Sequence, residues 1–381
     1  MQEVSVRDRS NALALPPPLW GRVGEGGGSK GKWRRLIATA ATPTPDPSPQ
    51  GGGEPESAIA ALVVSWLFFA LALLFSTPAL ADTIYVSNEQ DNTISVIDSA
   101  SLSVTATIEV GRRPRGIMLS ADRRVVYVAV GDDDRIDVVD RATRKTIGSL
   151  PSGEDPEAFA VHPDGRRLFV SNENENRVSV VDIDARNIVL EIRVGSEPEG
   201  VAVSPDGNLV VNTSESSSMV HVIDAATYRM LGSVLVDARP RSAQFTPDGK
   251  SIWVSSELRG TVSVIDVAAR KITAKIPFAV PGIAREQMQA VGLVLTRDGT
   301  RAFVALGPTN RVAEIDTRTL KVTRYYLVGQ RVWQVALSSD EKRLYTANGN
   351  SGDVSVIDLD AREVVKSIRV GRSPWGLAVA P

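Results

Sequence analysis

The sequence predicts an all-β fold, a seven-bladed β-propeller of four-stranded antiparallel blades in which the C-terminal strand completes the first blade. Three features carry that expectation: a tripeptide that recurs at a near-constant interval, four strand-length apolar runs in each interval, and chain ends that stop at complementary points of the repeat. The tripeptide reads Val96-Ile97-Asp98, Val138-Val139-Asp140, Val180-Val181-Asp182, Val222-Ile223-Asp224, Val264-Ile265-Asp266, Glu314-Ile315-Asp316 and Val356-Ile357-Asp358. Its aspartates stand 42, 42, 42, 42, 50 and 42 residues apart. Seven copies at one period are seven copies of one structural unit, and the long step marks an insertion of eight residues.

The copy from Glu197 to Ala238 shows the order within a unit. Gly200-Val201-Ala202-Val203 is a first strand, and Ser204-Pro205-Asp206-Gly207 supplies the residues of a tight turn. Leu209-Val210-Val211-Asn212 is the second strand, followed by a polar loop through Glu215. Val220-His221-Val222-Ile223 is the third, Asp224 opens the next turn, and the fourth lies near Met230 to Val236. Four short strands per unit with no helical run describe a propeller blade rather than a helical or leucine-rich solenoid. The first copy begins with a second strand, Thr83-Ile84-Tyr85-Val86, and the chain ends in a first strand, Pro374 to Val379. The C-terminus therefore supplies the strand that blade one lacks, which removes exposed edges. With the aspartate available to bond its own turn seven times over, the repeated carboxylates are expected to be scaffold.

The repeat occupies residues 82–381. Residues 57–81 contain an uncharged apolar run, 58–75, followed by Ala79-Leu80-Ala81, the pattern of a secretory signal peptide cleaved after Ala81. This predicts a periplasmic or secreted protein that meets a membrane only through that segment, if it is left uncleaved. Residues 1–56 are Gly- and Pro-rich without apolar periodicity and are expected to be disordered. Reverse-complemented codons for residues 15–26 can encode residues 43–54 at eleven of twelve positions, as a translated inverted DNA repeat would.

Beyond Ala81 the chain carries 36 Lys and Arg against 39 Asp and Glu, which excludes the strongly basic face that nucleic acid demands. There is no cysteine, so disulfides and thiolate chemistry are excluded. A monomer is expected.

Blades that open Tyr85-Val86-Ser87-Asn88, pass through Val-Ile-Asp and close on Val110-Gly111 resemble the bacterial YVTN-repeat propellers over residues 83–381. Within that group, four stretches are similar to the propeller proteins associated with PQQ-dependent alcohol catabolism: 277–282 (PFAVPG), 305–312 (ALGPTNRV), 328–334 (VGQRVWQ) and 374–376 (PWG). The resemblance implies an exported accessory protein whose partner is a small molecule or a periplasmic protein of alcohol or quinone metabolism. PQQ itself is not expected to bind directly, because the PQQ dehydrogenases resemble eight-bladed propellers with a different, Trp-rich repeat.

The copies differ most at the residue just before the first strand's glycine position. It is Arg115, Glu157, Glu199, Arg241, Val291, Trp333 and Trp375 in blades two to seven and then one, and it should ring the mouth of the central channel. Arg113, Asp155, Glu197, Arg239 and Arg331 lie two residues upstream, and the loop after the second strand adds Glu89, Glu173, Glu215 and Glu257 to the same face. Blades six and seven place Gly307 and Gly349 there instead. The insertion, within Phe278 to Gln289, joins this face beside the Trp sector, and long loops on one propeller face are where binding is built. Trp333 and Trp375 are the candidate apolar anchors, and Arg331, Arg115 and Arg241 are candidate anion donors alongside Glu157 and Glu199. The competing reading is that the charges pair between blades and the tryptophans fill the channel.

No catalytic constellation stands out. His162 lies in a turn of the opposite face and His221 in a third strand, which separates them from any shared metal or triad. A Ca²⁺-dependent, lactonase-like hydrolase would have to draw its ligands from carboxylates such as Glu173, Glu215 and Glu257, which can supply hard oxygens. The expectation is therefore a non-catalytic binding module, with that hydrolase as the alternative.

Overall fold

Strands covered on both faces read as continuous apolar runs, and the second and third strands of each repeat are of this kind. In the computed structural model, which describes residues 81–381, Thr83–Asn88 and Thr93–Asp98 are buried throughout their interiors. Their alternate residues serve two neighbours. Val96 packs with Val126 and Val128 of the next repeat, while Ile97 packs with Tyr345 and Val356 of the last one. Seven apolar clusters, one between each pair of adjacent sheets, hold the described residues in a closed ring. Fourth strands such as Ser103–Glu109 are mostly exposed and contribute little beyond one anchor, here Ile108.

The seven sheets are four-stranded and antiparallel, as the repeat predicts. Blade one runs from the C-terminal strand Pro374–Ala380 through Thr83–Asn88 and Thr93–Asp98 to Ser103–Glu109. Ile84 pairs with Val379 and Val86 with Leu377, so the two ends of the repeat region close the ring as expected. A proline opens five of the first strands, at 114, 156, 198, 240 and 374. That strand is the edge facing the channel, where a missing N–H is tolerated. Adjacent first strands approach closely: a Cβ on Gly376 would stand 2.6 Å from the carbonyl oxygen of Arg115. Ser87 completes this joint by accepting from Gly376 N–H (2.9 Å) and donating to that carbonyl (2.6 Å).

Each repeated aspartate bonds its own turn. Asp98 Oδ1 accepts from the Ser101 N–H and hydroxyl, both at 2.7 Å; Asp140, Asp224 and Asp316 accept the same pair from a threonine, and Asp182, Asp266 and Asp358 accept the backbone N–H of an alanine at that position. These hydrogen bonds hold the Asp98, Asp140, Asp224 and Asp316 carboxyls below their ordinary range.

The insertion is anchored at both ends, while Pro281, Gly282 and residues 284–287 between them stay exposed. Phe278, Met288 and Ala290 are buried in one cluster with Trp253 and Leu295, and Ala279 N–H donates to Tyr325 Oη at 3.1 Å. Blade six pays with its first strand, which is cut to Leu293–Leu295. Among the described residues no helix is long and apolar enough to cross a membrane. The expectations for residues 1–56 and, apart from Ala81, for the signal segment fall outside the described residues.

Removing residues 372–381 strips the partner strand from Thr83–Asn88, withdraws Leu377, Ala378, Val379 and Ala380 from their clusters and removes the buried Trp375 from the channel. At about 1.5–3 kcal/mol for each buried apolar side chain, the truncated chain should lose several kcal/mol and its cooperative melting transition by circular dichroism. A melting temperature equal to that of the intact chain would contradict this closure.

Candidate functional site: the loop face at the channel mouth

One backbone hydrogen bond builds this face. In six blades the residue after the second strand donates its N–H to the carbonyl of the residue two positions before the ring residue. The pairs are Glu89 to Ser373, Gly131 to Arg113, Glu173 to Asp155, Glu215 to Glu197, Glu257 to Arg239 and Gly349 to Arg331, at 2.8–3.1 Å. All six acceptor residues have left-handed backbone, with φ between 51° and 60°. Such a conformation costs a non-glycine residue roughly 1–2 kcal/mol. Side-chain acceptors from the preceding blade help to hold it: the N–H groups of Arg113, Asp155, Glu197 and Arg331 donate to Asn92, Asp134, Asn176 and Asn310. The geometry brings each loop carboxylate beside the ring residues.

The charged arc is therefore a network of ion pairs between blades. Arg115 contacts Glu89 at 3.0 Å and Glu157 more closely. Arg241 contacts Glu215 and reaches Glu199 at 3.1 Å and Glu257 at 3.8 Å. Arg239 bridges Glu215 (2.7 Å) and Glu257 (3.3 Å), and Arg331 meets Glu257 at 3.2 Å. Every arginine offered as an anion donor is thus already committed to a carboxylate, and an anionic ligand would have to displace one.

Burial sets the protonation of this network. Glu199, fully enclosed, is pushed well above the ordinary carboxyl range by desolvation, which Arg241 opposes and Glu157 and Glu215 reinforce. Burial acts the same way on Glu157, but Arg115 outweighs it and the net shift is downward. Glu173 is raised to about 7 by burial, then by hydrogen bonding to Glu157 and by that residue's charge.

Trp333 occupies a different sector. It is half-buried, with the Arg331 guanidinium 4.3 Å and that of Arg241 5.7 Å from its ring centroid. Gly349 makes room for it, since a Cβ there would lie 2.7 Å from Trp333 Cδ1. Arg331 is steadied by the inserted loop, where Gln289 Oε1 accepts from its Nη1 at 3.0 Å. Trp375 is placed otherwise: it is 6% exposed and, with Glu199 and Arg241, lines a central channel cavity of about 480 Å³. Val291 is buried.

The carboxylates Glu173, Glu215 and Glu257 do not converge on one point. Glu215 and Glu257 face Arg239 and Arg241, while Glu173 groups with Asp155 and Glu157, one oxygen of each lying within 4.8 Å of the others. Sequence reasoning missed this trio and the role of Gln289. The available signal was Gly131, the third glycine in the loop series: a side chain there would collide with Arg113, the residue that carries the neighbouring Asp155. The histidines are structural, as their separation suggests. His162 Nε2 bonds Gly207 O at 2.8 Å, and His221 takes Gly195 N–H on Nε2 (2.9 Å) with Ser233 Oγ on Nδ1 (2.7 Å).

The chain is similar to two families over part of its length. Residues 201–364 match the lactonase family of 7-bladed beta-propellers, and residues 131–242 match the cytochrome D1 heme domain. No curated protein matches the sequence. Among solved structures, hydrazine synthase of Kuenenia stuttgartiensis superposes with a TM-score of 0.67 at 22% identity, covering 72% of this chain and 92% of that one. A protein from Lactobacillus plantarum gives 0.69 at 15% identity, covering 79% and 99%. Dihydro-heme d1 dehydrogenase NirN in complex with DHE gives 0.60 at 16%, covering 77% and 74%. These likenesses show the propeller fold. A heme held by an axial histidine does not fit the residues present, because both histidines have their ring nitrogens engaged.

The Glu173 shift predicts a pH dependence. Its folded value lies above the ordinary 4.5, so between about 4.5 and 7 the folded state binds more protons than the unfolded state. Stability on this account falls as pH rises through that window. Glu173→Gln should flatten the slope of chemical-denaturation stability against pH in EDTA-containing buffer. A variant that retains the wild-type slope would contradict the assignment.

Proposed function

We propose that this chain is an exported, non-catalytic β-propeller that binds a small molecule or a protein partner at the Trp333 sector of its loop face. The observation that carries the reading is the placement of Trp333: a half-exposed indole held by Arg331, cleared by Gly349 and bordered by the only long insertion in the repeat. A rigid aromatic in a preformed setting loses little entropy on binding and is a common anchor. The accessory role in PQQ-dependent alcohol catabolism is supported by the resemblance of the stretches around Pro277, Ala305, Val328 and Pro374, and export by the signal pattern ending at Ala81.

A Ca²⁺-dependent, lactonase-like hydrolase is the second reading, favoured by the family match over residues 201–364. Against it, Glu215 and Glu257 already neutralise arginines instead of presenting open oxygens.

Thermal-shift measurements with PQQ, with lactones and with a partner alcohol dehydrogenase test the choice. A true ligand at 100 times its dissociation constant adds about 2.7 kcal/mol, and Trp333→Ala should abolish that gain while leaving the unliganded melting temperature within a few degrees. EGTA-sensitive lactone turnover would support the hydrolase, and a ligand unaffected by Trp333→Ala would remove the anchor.

A further inference from the structure

The mouth of the channel divides into two halves of unequal charge. On one side, Glu199, Glu215 and Glu257 face Arg239, Arg241 and Arg331, three against three. On the other, Glu89, Asp155, Glu157 and Glu173 face only Arg113 and Arg115, and Arg113 is also drawn to Asp132 at 2.8 Å. That side has at least two carboxylates in excess.

The excess is concentrated where three chain segments meet. Asp155 and Glu157 flank Pro156 at the entry of a first strand, and Glu173 is pinned beside them because its N–H donates to Asp155 O at 3.0 Å. Arg115 and Arg113 both bear on Glu157 Oε1. Glu157 Oε2, on a residue with no exposure at all, meets no arginine, backbone N–H or hydroxyl among the described residues, and only a proton shared with Glu173 reaches it. An orphaned, fully buried carboxylate oxygen is costly unless something positive meets it.

We propose that Asp155, Glu157 and Glu173 bind one hard divalent cation of the Ca²⁺ class, with Arg113 and Arg115 orienting the carboxylates from behind. Oxygen atoms are the ligands such an ion requires, and the remaining positions of its shell would be taken by water, since Glu173 and Asp155 are partly exposed on the mouth. A single proton could satisfy Glu157 Oε2 but would cancel only one of the excess charges, whereas a divalent ion balances the whole cluster. The site is separate from the Trp333 sector, and it requires no hydrolysis: its effect is to fasten blade three at the mouth.

The test is isothermal titration of the full chain, stripped with EDTA, with CaCl₂, MgCl₂ and MnCl₂ at slightly alkaline pH, paired with melting curves. The expected result is one bound Ca²⁺ per chain and a melting temperature raised by several degrees. Glu157→Gln and Glu173→Gln should each lose the heat and the shift. Because Glu157→Gln alters a buried group and could misfold, the partly exposed Glu173 variant carries the assignment, and Glu197→Gln on the neighbouring blade should bind as wild type does. Absence of binding by the wild-type chain, or binding that survives Glu173→Gln, would overturn the proposal, the first outcome leaving a shared proton as the group that satisfies Glu157.

Discussion

The hydrogen bond from the residue after the second strand to the carbonyl of the left-handed residue before the first strand is the constraint on which the loop face depends. It fixes where the chain enters each innermost strand, and so which side chain points across the channel mouth. Six blades make it, and blade six does not: there Gly307, at the position of Glu89, bridges to Val332 of the next blade. The exception coincides with the insertion and with the shortened strand Leu293–Leu295. One local departure from the repeat therefore changes the loop face over three consecutive blades, from the inserted loop of blade five to Trp333 of blade seven.

Elsewhere regularity produces structure. The arginines and glutamates of the ring vary in sign from blade to blade, which in a sequence reads as a binding pattern. In space, the opposite charges of neighbouring blades meet as ion pairs, Arg115 with Glu157 and Arg241 with Glu199. Arg241, 8% exposed, shows why such a residue is retained once placed: removing its partners would leave a buried charge, and breaking a buried pair typically costs about 3–5 kcal/mol. Because the guanidiniums are already paired, an anion would have to displace a carboxylate to reach them.

The fold was fully legible because its signals are short-range and repeated. A period of 42 residues, the turn residues and the complementary chain ends each point to the propeller, and Asp98 and its six counterparts take the turn-bonding role their position suggests. The site was legible as a face but not as contacts. Position in the repeat placed Trp333 and Trp375 in one series, yet it could not show that the former stays half-exposed while the latter is enclosed at the channel. Nor could it show that Glu173 would join Asp155 and Glu157 of its own blade while Glu215 and Glu257 turned to Arg239 and Arg241. Those outcomes depend on side-chain reach across blades, which spacing along the chain does not encode.

The claim that the charged arc is pre-built scaffold rests most directly on the pair formed by Arg241 and Glu215, both buried. A double-mutant cycle with Arg241→Gln and Glu215→Gln, read by denaturant unfolding, should give a coupling energy above about 1 kcal/mol. Additivity of the two substitutions within about 0.5 kcal/mol would mean that the arginines are not held by their carboxylates, and the arc would have to be reconsidered as a surface open to ligand.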